Sequence, residues 1–294
     1  MCKVDDYILA MHPFERALAM GAAEPVSQGA YLRFLAGNIL AWTGDEREKL
    51  TTAMHVLDAW LDGCGVNALG SLVMIKTTGK EMYNCAYTRS NAIILPEGKL
   101  QTYSDPDALA ELLAHEYFHI LTRTFPELRS ELYRLLGFQP LTADRFDIPE
   151  ILKRQMLTNP DAPCQDHYTR LCFKGNPIPV IPVALLKNKT ASVDATKDIL
   201  NSLKTRLLVI TKQNSSWVPL CYLGRPRCFD LHQVTGWEKY AANSENMIFD
   251  AEEVLADCFA GHLAGKAPGL MVNTGRHMAS VVYRYCHSRK RENY

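Results

Sequence analysis

His115-Glu116-Tyr117-Phe118-His119 carries the residue types best suited to chemistry. It reads H-E-x-x-H. Positions four apart on a helix share a face, so His115 and His119 can offer two imidazole nitrogens to one metal ion. Glu116 follows the first histidine and is near enough to handle the proton of a metal-bound water. Two histidines in an otherwise apolar helix need partners, because a buried polar group without one is costly.

A third candidate ligand lies 134 residues after His119. Asp250-Ala251-Glu252-Glu253-Val254-Leu255-Ala256-Asp257 opens another helix, in which Glu253 and Asp257 share a face. Glu253 can complete a His2Glu zinc site with the fourth position left to water. Asp257 can accept the second imidazole N–H of a ligand histidine and so fix its tautomer. Glu252 is the rival ligand, but its spacing of five from Asp257 points it elsewhere. The alternative for Glu253 is a capping role, reaching back from the third helical position to Asp250.

H-E-x-x-H followed by E-x-x-x-D resembles the gluzincin zinc metallopeptidases, the thermolysin-like group. The flanking sequence is also similar to bacterial metallopeptidases of unknown substrate. The resemblance covers two helices directly. It departs from thermolysin in the stretch between them, which is much shorter there. It implies His115, His119 and Glu253 as ligands of Zn2+, Glu116 as the catalytic base acting on a zinc-bound water, and Asp257 behind a ligand histidine. It also implies a zincin-like fold and a peptide or protein substrate, bound by strand addition to a sheet edge. Residues 87–91 are the candidate neighbourhood of that edge. A second oxyanion donor, usually Tyr or His in this class, falls to Tyr240, with His232 as its rival. No G-x-M-E-N-type stretch of the aminopeptidase branch occurs, which favours endopeptidase action. The competing readings are a non-catalytic zinc-stabilised binding protein and a zinc hydrolase of a non-peptide amide.

The elements that must position these residues follow from local signals. Asp105 can cap a helix and Pro106 suits its first position. Ala108, Leu109, Leu112, Leu113 and Ile120 follow at helical spacing, and Pro126 ends the run. Helices over 105–123 and 251–264 are therefore expected to pack with their ligand faces together. Before them, residues 1–64 read as helical: one helix over 30–42, then a capping box at Thr43-Gly44-Asp45-Glu46 and a stripe of Leu50, Met54, Leu57 and Leu61. Leu72-Val73-Met74-Ile75 and residues 84–95 read as strands, with a turn at Pro96-Glu97-Gly98. After the motif helix, residues 127–136 are helical and Gly137 stops them. Residues 165–186 and 206–221 are β-rich, with 194–204 helical between them. Pro177, Pro179 and Pro182 demote the first of these to edge or irregular strands. The chain is helical again from Gly236, and Met278–Cys286 is a last amphipathic helix.

The fold class is accordingly α+β: a small mixed sheet on the H-E-x-x-H helix, a mainly helical C-terminal part, and a β-rich insertion between the metal-binding helices. The organisation expected is one unit over 1–294, comprising 1–139, an insertion at 140–235, and 236–294. Other polar residues take structural roles. His55 lies beside an apolar stripe with no second ligand, Asp161 could bind a metal or orient a ligand but sits in a turn cluster that favours a turn-forming role, and His262 lies about two and a half turns past Glu253.

Composition narrows the partners. Lys+Arg and Asp+Glu balance at 32 each, and no basic stripe invites nucleic acid. The run Arg289-Lys290-Arg291 suits a helix C-terminus. No apolar run reaches the ~20 residues needed to span a bilayer, and no signal peptide is seen. Nine scattered cysteines without a C-x-x-C suggest free thiols in a reducing, cytoplasmic compartment.

Overall fold

A computed structural model describes residues 3–66, 69–141, 146–187, 202–237, 250–266 and 269–292. The protein is mixed α+β. Two compact units divide it: residues 32–135 with 252–294, and residues 3–31 with 136–251. This differs from one unit carrying an insertion at 140–235. The N-terminal helices Asp6–Ala10 and Pro13–Met20 belong with the β-rich part, not with the motif helix.

The first unit holds a four-stranded sheet in the order Ile39–Leu40, Val73–Thr77, Ala92–Pro96, Tyr87–Arg89. The two central strands are parallel, and each outer strand is antiparallel to its neighbour. Ala92–Pro96 is buried throughout, as its unbroken apolar run requires of a strand covered on both faces. Ile39 and Leu40 leave the expected helix because they pair with Thr77 and Lys76; the helix stops at Gly37. Pro96 caps a short helix, Glu97–Thr102, where a turn was expected: its fixed φ suits a helix entrance as well as a turn. Tyr87–Arg89 is one sheet edge, within the stretch expected to hold one. Its three residues are buried, and Arg123 donates to Thr88 Oγ1 and the Ser90 carbonyl.

Two helices pack together beside this sheet. Gly44–Gly63 starts with the full capping box: Thr43 Oγ1 accepts from the Glu46 amide, and Glu46 accepts from the Thr43 amide. Leu50, Ala53, Leu57 and Leu61 are its buried stripe. Pro106–Thr124 is the motif helix, capped by Asp105, which accepts from the Asp107 amide. From Leu113 to Thr122 only His115 is not fully buried, so the motif lies where the helix is enclosed nearly all round. Helix Ala251–Leu263 meets it through Phe259, whose ring lies near-parallel to Tyr117 at 6.3 Å and 5.5 Å from Phe118. Helix Pro126–Leu135 packs on the last helix, Gly269–Glu292.

The second unit is built on an antiparallel sheet in the order Cys228–Asp230, Leu203–Gln213, Asn176–Leu186, His167–Phe173, Gln139–Pro140, with Ser216–Pro219 also on Leu203–Gln213. Asn176–Leu186 is thus central, despite three prolines. Its register explains this. Residues 176–180 pair with one neighbour and 180–186 with the other, so the pairings overlap at Val180 alone. Each proline lies where the strand is paired on one side, and its missing N–H costs no ladder bond on the other. The helix expected at 194–204 lies outside the described residues except at its end, where Leu203 and Lys204 open a strand.

Glu15, on helix Pro13–Met20, is buried in this unit. It accepts from the Thr158 amide and hydroxyl. Neighbouring Arg16 donates to the Val26 and Met11 carbonyls. Burial pushes the Glu15 carboxyl from 4.5 up to about 7, against the lowering pull of Thr158, the His12 amide and the Arg16 charge. The folded state therefore holds this proton more tightly than the unfolded chain. Stability from this group is complete below pH 4.5, falls as pH rises towards 7 and levels above it, a loss of roughly 3 kcal/mol. Glu15→Gln is expected to remove that slope in urea titrations between pH 4.5 and 8. An unchanged slope would assign the pH dependence to other groups.

Among the described residues the cysteines are free thiols, and no helix is long and apolar enough to cross a membrane.

Candidate metal centre

The motif helix and helix Ala251–Leu263 bring His115, His119 and Glu253 together, with one ligand atom from each within 4.8 Å of the others. His115 Nε2 lies 3.3 Å from Glu253 Oε2, and His119 Nε2 lies 3.9 Å from Glu253 Oε1. Donors bound tetrahedrally at ~2.0–2.1 Å lie roughly 3.3 Å apart, so this set is close to what a zinc-sized ion needs. The two imidazoles meet edge to face at 4.7 Å between centroids.

Both Nδ1 atoms are held from behind. His115 Nδ1 lies 3.0 Å from Asp257 Oδ1, and His119 Nδ1 lies 3.0 Å from Glu252 Oε1. A carboxylate only accepts, so each contact places a proton on Nδ1 and turns Nε2 towards Glu253; on His115, whose Nε2 also faces a carboxylate, that nitrogen carries a proton that a bound metal would displace. Burial would lower the His115 pKa, but Asp257 and Glu253, with the charge of Glu116, raise it well above the ordinary value.

Glu252, considered in the sequence only as a rival ligand, instead sits behind His119. It is fully buried. Thr122 Oγ1 donates to Oε1 at 2.6 Å and Tyr133 OH donates to Oε2 at 2.7 Å, beside the contact from His119. It points away from Asp257 as expected, and its target is the back of His119. A signal existed in Thr122, three residues after His119 and therefore on its side of the helix.

Glu116 is buried, with a carboxylate oxygen within 4.8 Å of a His119 ring nitrogen. The centre is graded in exposure: the His119 side chain is 1% exposed, His115 19%, Glu253 32% and Asp257 68%. One side therefore reaches solvent while the opposite side is sealed.

No family model, curated protein or solved structure matches the chain.

Of the remaining residues singled out by sequence, Tyr240 lies outside the described residues. His232 is exposed on the short turn of helix Leu231–Gln233 in the second unit. His55 is exposed. His262 lies against Gly275, where a β-carbon would come 3.4 Å from its own. Asp161 donates its amide to Asn159 Oδ1 at 2.8 Å, so the side chain that shapes this turn is that of Asn159.

Proposed function

We propose that the chain is a zinc-dependent hydrolase of the gluzincin type, a metallo-endopeptidase with Glu116 as its general base. The observation that carries this is the orientation of the two histidines. Their Nδ1 atoms are held by Asp257 and Glu252, and their Nε2 atoms converge on Glu253. A histidine pair serving packing alone has no need of that common direction. The four-stranded mixed sheet beside the motif helix supports a zincin-like fold.

His115, His119 and Glu253 would hold the ion. Zinc supplies Lewis acidity, which polarises a carbonyl and acidifies water. Glu116 accepts the proton of the attacking water and delivers it to the leaving amine. Its burial keeps bulk water from competing for that proton. Asp257 and Glu252 hold the imidazoles in one tautomer throughout. Tyr87–Arg89, as a sheet edge, is the segment proposed to lie nearest an extended peptide.

The test is digestion of a peptide library with the full chain, with products identified by mass spectrometry. Cleavage is expected to stop on chelation and to return with added zinc. Chelator-resistant cleavage, or none by zinc-loaded protein across a broad library, would count against peptidase action. A further expected result concerns the buried network. Glu252→Gln should weaken zinc affinity by ~10–100-fold, and Tyr133→Phe by less, because Thr122 still holds the carboxylate. Competition with a fluorescent zinc chelator reads both. Equal affinities in all three proteins would make the Glu252 network purely structural.

A further inference from the structure

The second unit contains a cavity of about 800 Å³. That volume is within the range of pockets that hold small organic ligands. All of the residues lining it belong to this unit. Its lining includes the apolar side chains of Leu9, Leu141, Phe146, Ile148 and Met156.

The charged side chains lining it are Asp6, Glu15, Asp147 and Asp166, with Lys153 and His12. Both cationic candidates are already engaged: Lys153 Nζ with Asp147, and His12 Nε2 with Glu150 at 2.9 Å. Asp166 is joined to buried His167 at 2.7 Å. Glu15 differs from the others. It is 4% exposed, it lines the cavity, and among the described residues no cation forms an ion pair with it. Its hydrogen-bond donors, the Thr158 side chain and amide and the His12 amide, are neutral; the Arg16 charge acts on it from nearby, but the guanidinium donates to main-chain carbonyls and not to the carboxylate. A buried carboxylate is costly without a cation, and each of its oxygens has acceptor capacity beyond one bond.

We propose that this cavity binds an organic ammonium group with an apolar body, its charge seated on Glu15 and its body against Leu9, Phe146 and Met156. Asp6 and Asp166 add to the negative potential around it. The upward shift of the Glu15 carboxyl fits a site completed by an added cation: the bound charge would favour the ionised form. The ammonium could belong to a free amine or to the amino terminus of a peptide, and the same chemistry recognises both.

Calorimetric titration of the full chain tests this at pH 7.5. The probes are hexylamine, which is protonated there, and 1-hexanol, its neutral counterpart. Leucyl-leucinamide and its N-acetyl form make the second arm. Each ammonium probe is expected to bind at least about tenfold more tightly than its neutral partner, the usual weight of a charge-assisted contact. The tighter of the two ammonium probes identifies the source. Glu15→Gln should abolish the preference while sparing binding of the apolar body. Leu9→Trp, at a half-exposed position on the cavity wall, should weaken all four probes and leaves Glu15 in place. Equal binding of charged and neutral probes, no binding of any probe, or a preference that survives Glu15→Gln would overturn the proposal.

Discussion

Replacing Glu116 with Gln is expected to lower peptide hydrolysis by ~10²–10⁴-fold while zinc stays bound. Gln keeps the size of the side chain and removes its basicity. Glu116 lies one residue after His115, about 100° round the helix, so it is not directed at the ion as the histidines are. The donor set of His115, His119 and Glu253 is complete without it. The experiment compares wild type and variant at equal zinc occupancy on the same peptide library. Equal cleavage by both would assign the activity to a contaminant or to another site. Loss of zinc along with activity would make Glu116 a structural support of the centre, not its base.

The double substitution His115→Ala/His119→Ala is expected to take zinc from about one ion per chain to near none, since a single remaining carboxylate cannot hold the ion. The variant should still fold. His115 is partly exposed, and Glu252 retains its bonds from Thr122 and Tyr133 when His119 is lost. Some stability is expected to go with the His119 contact, and circular dichroism checks this alongside elemental analysis. Glu253→Gln should lie between, with weakened but measurable binding. Full zinc in the double variant would move the metal away from this centre, with the free thiols as the next candidates.

The part of this arrangement that is local was legible in the sequence. The motif helix was bounded by Asp105 and Pro106 because capping depends on residues a few positions apart. The Gly44–Gly63 helix was marked by Thr43 and Glu46 for the same reason. The approach of Glu253 to His115 follows from chemistry, because two histidines on one helix face need a third ligand to hold a metal. Nothing in its spacing gave the distance. What escaped depended on partners remote in the chain. Glu252 gained its role from Tyr133, on a different helix, and from His119, 133 residues away. The prolines of Asn176–Leu186 read as edge signals because pairing on each side was unknown. The two neighbouring strands overlap it at one residue, and this is what tolerates the prolines. Glu15 and Thr158 are 143 residues apart, so no local pattern could assign the first helices to the second unit.

That remoteness has a consequence for synthesis. His119 leaves the ribosome 133 residues ahead of Glu252, roughly 7–27 s earlier at usual elongation rates. During that interval His119 and Tyr133 lack the carboxylate that later binds them, and Phe118 lacks the ring of Phe259. The nascent chain thus carries the His115 and His119 imidazoles on a half-finished core, and the helix that holds both is translated near the end.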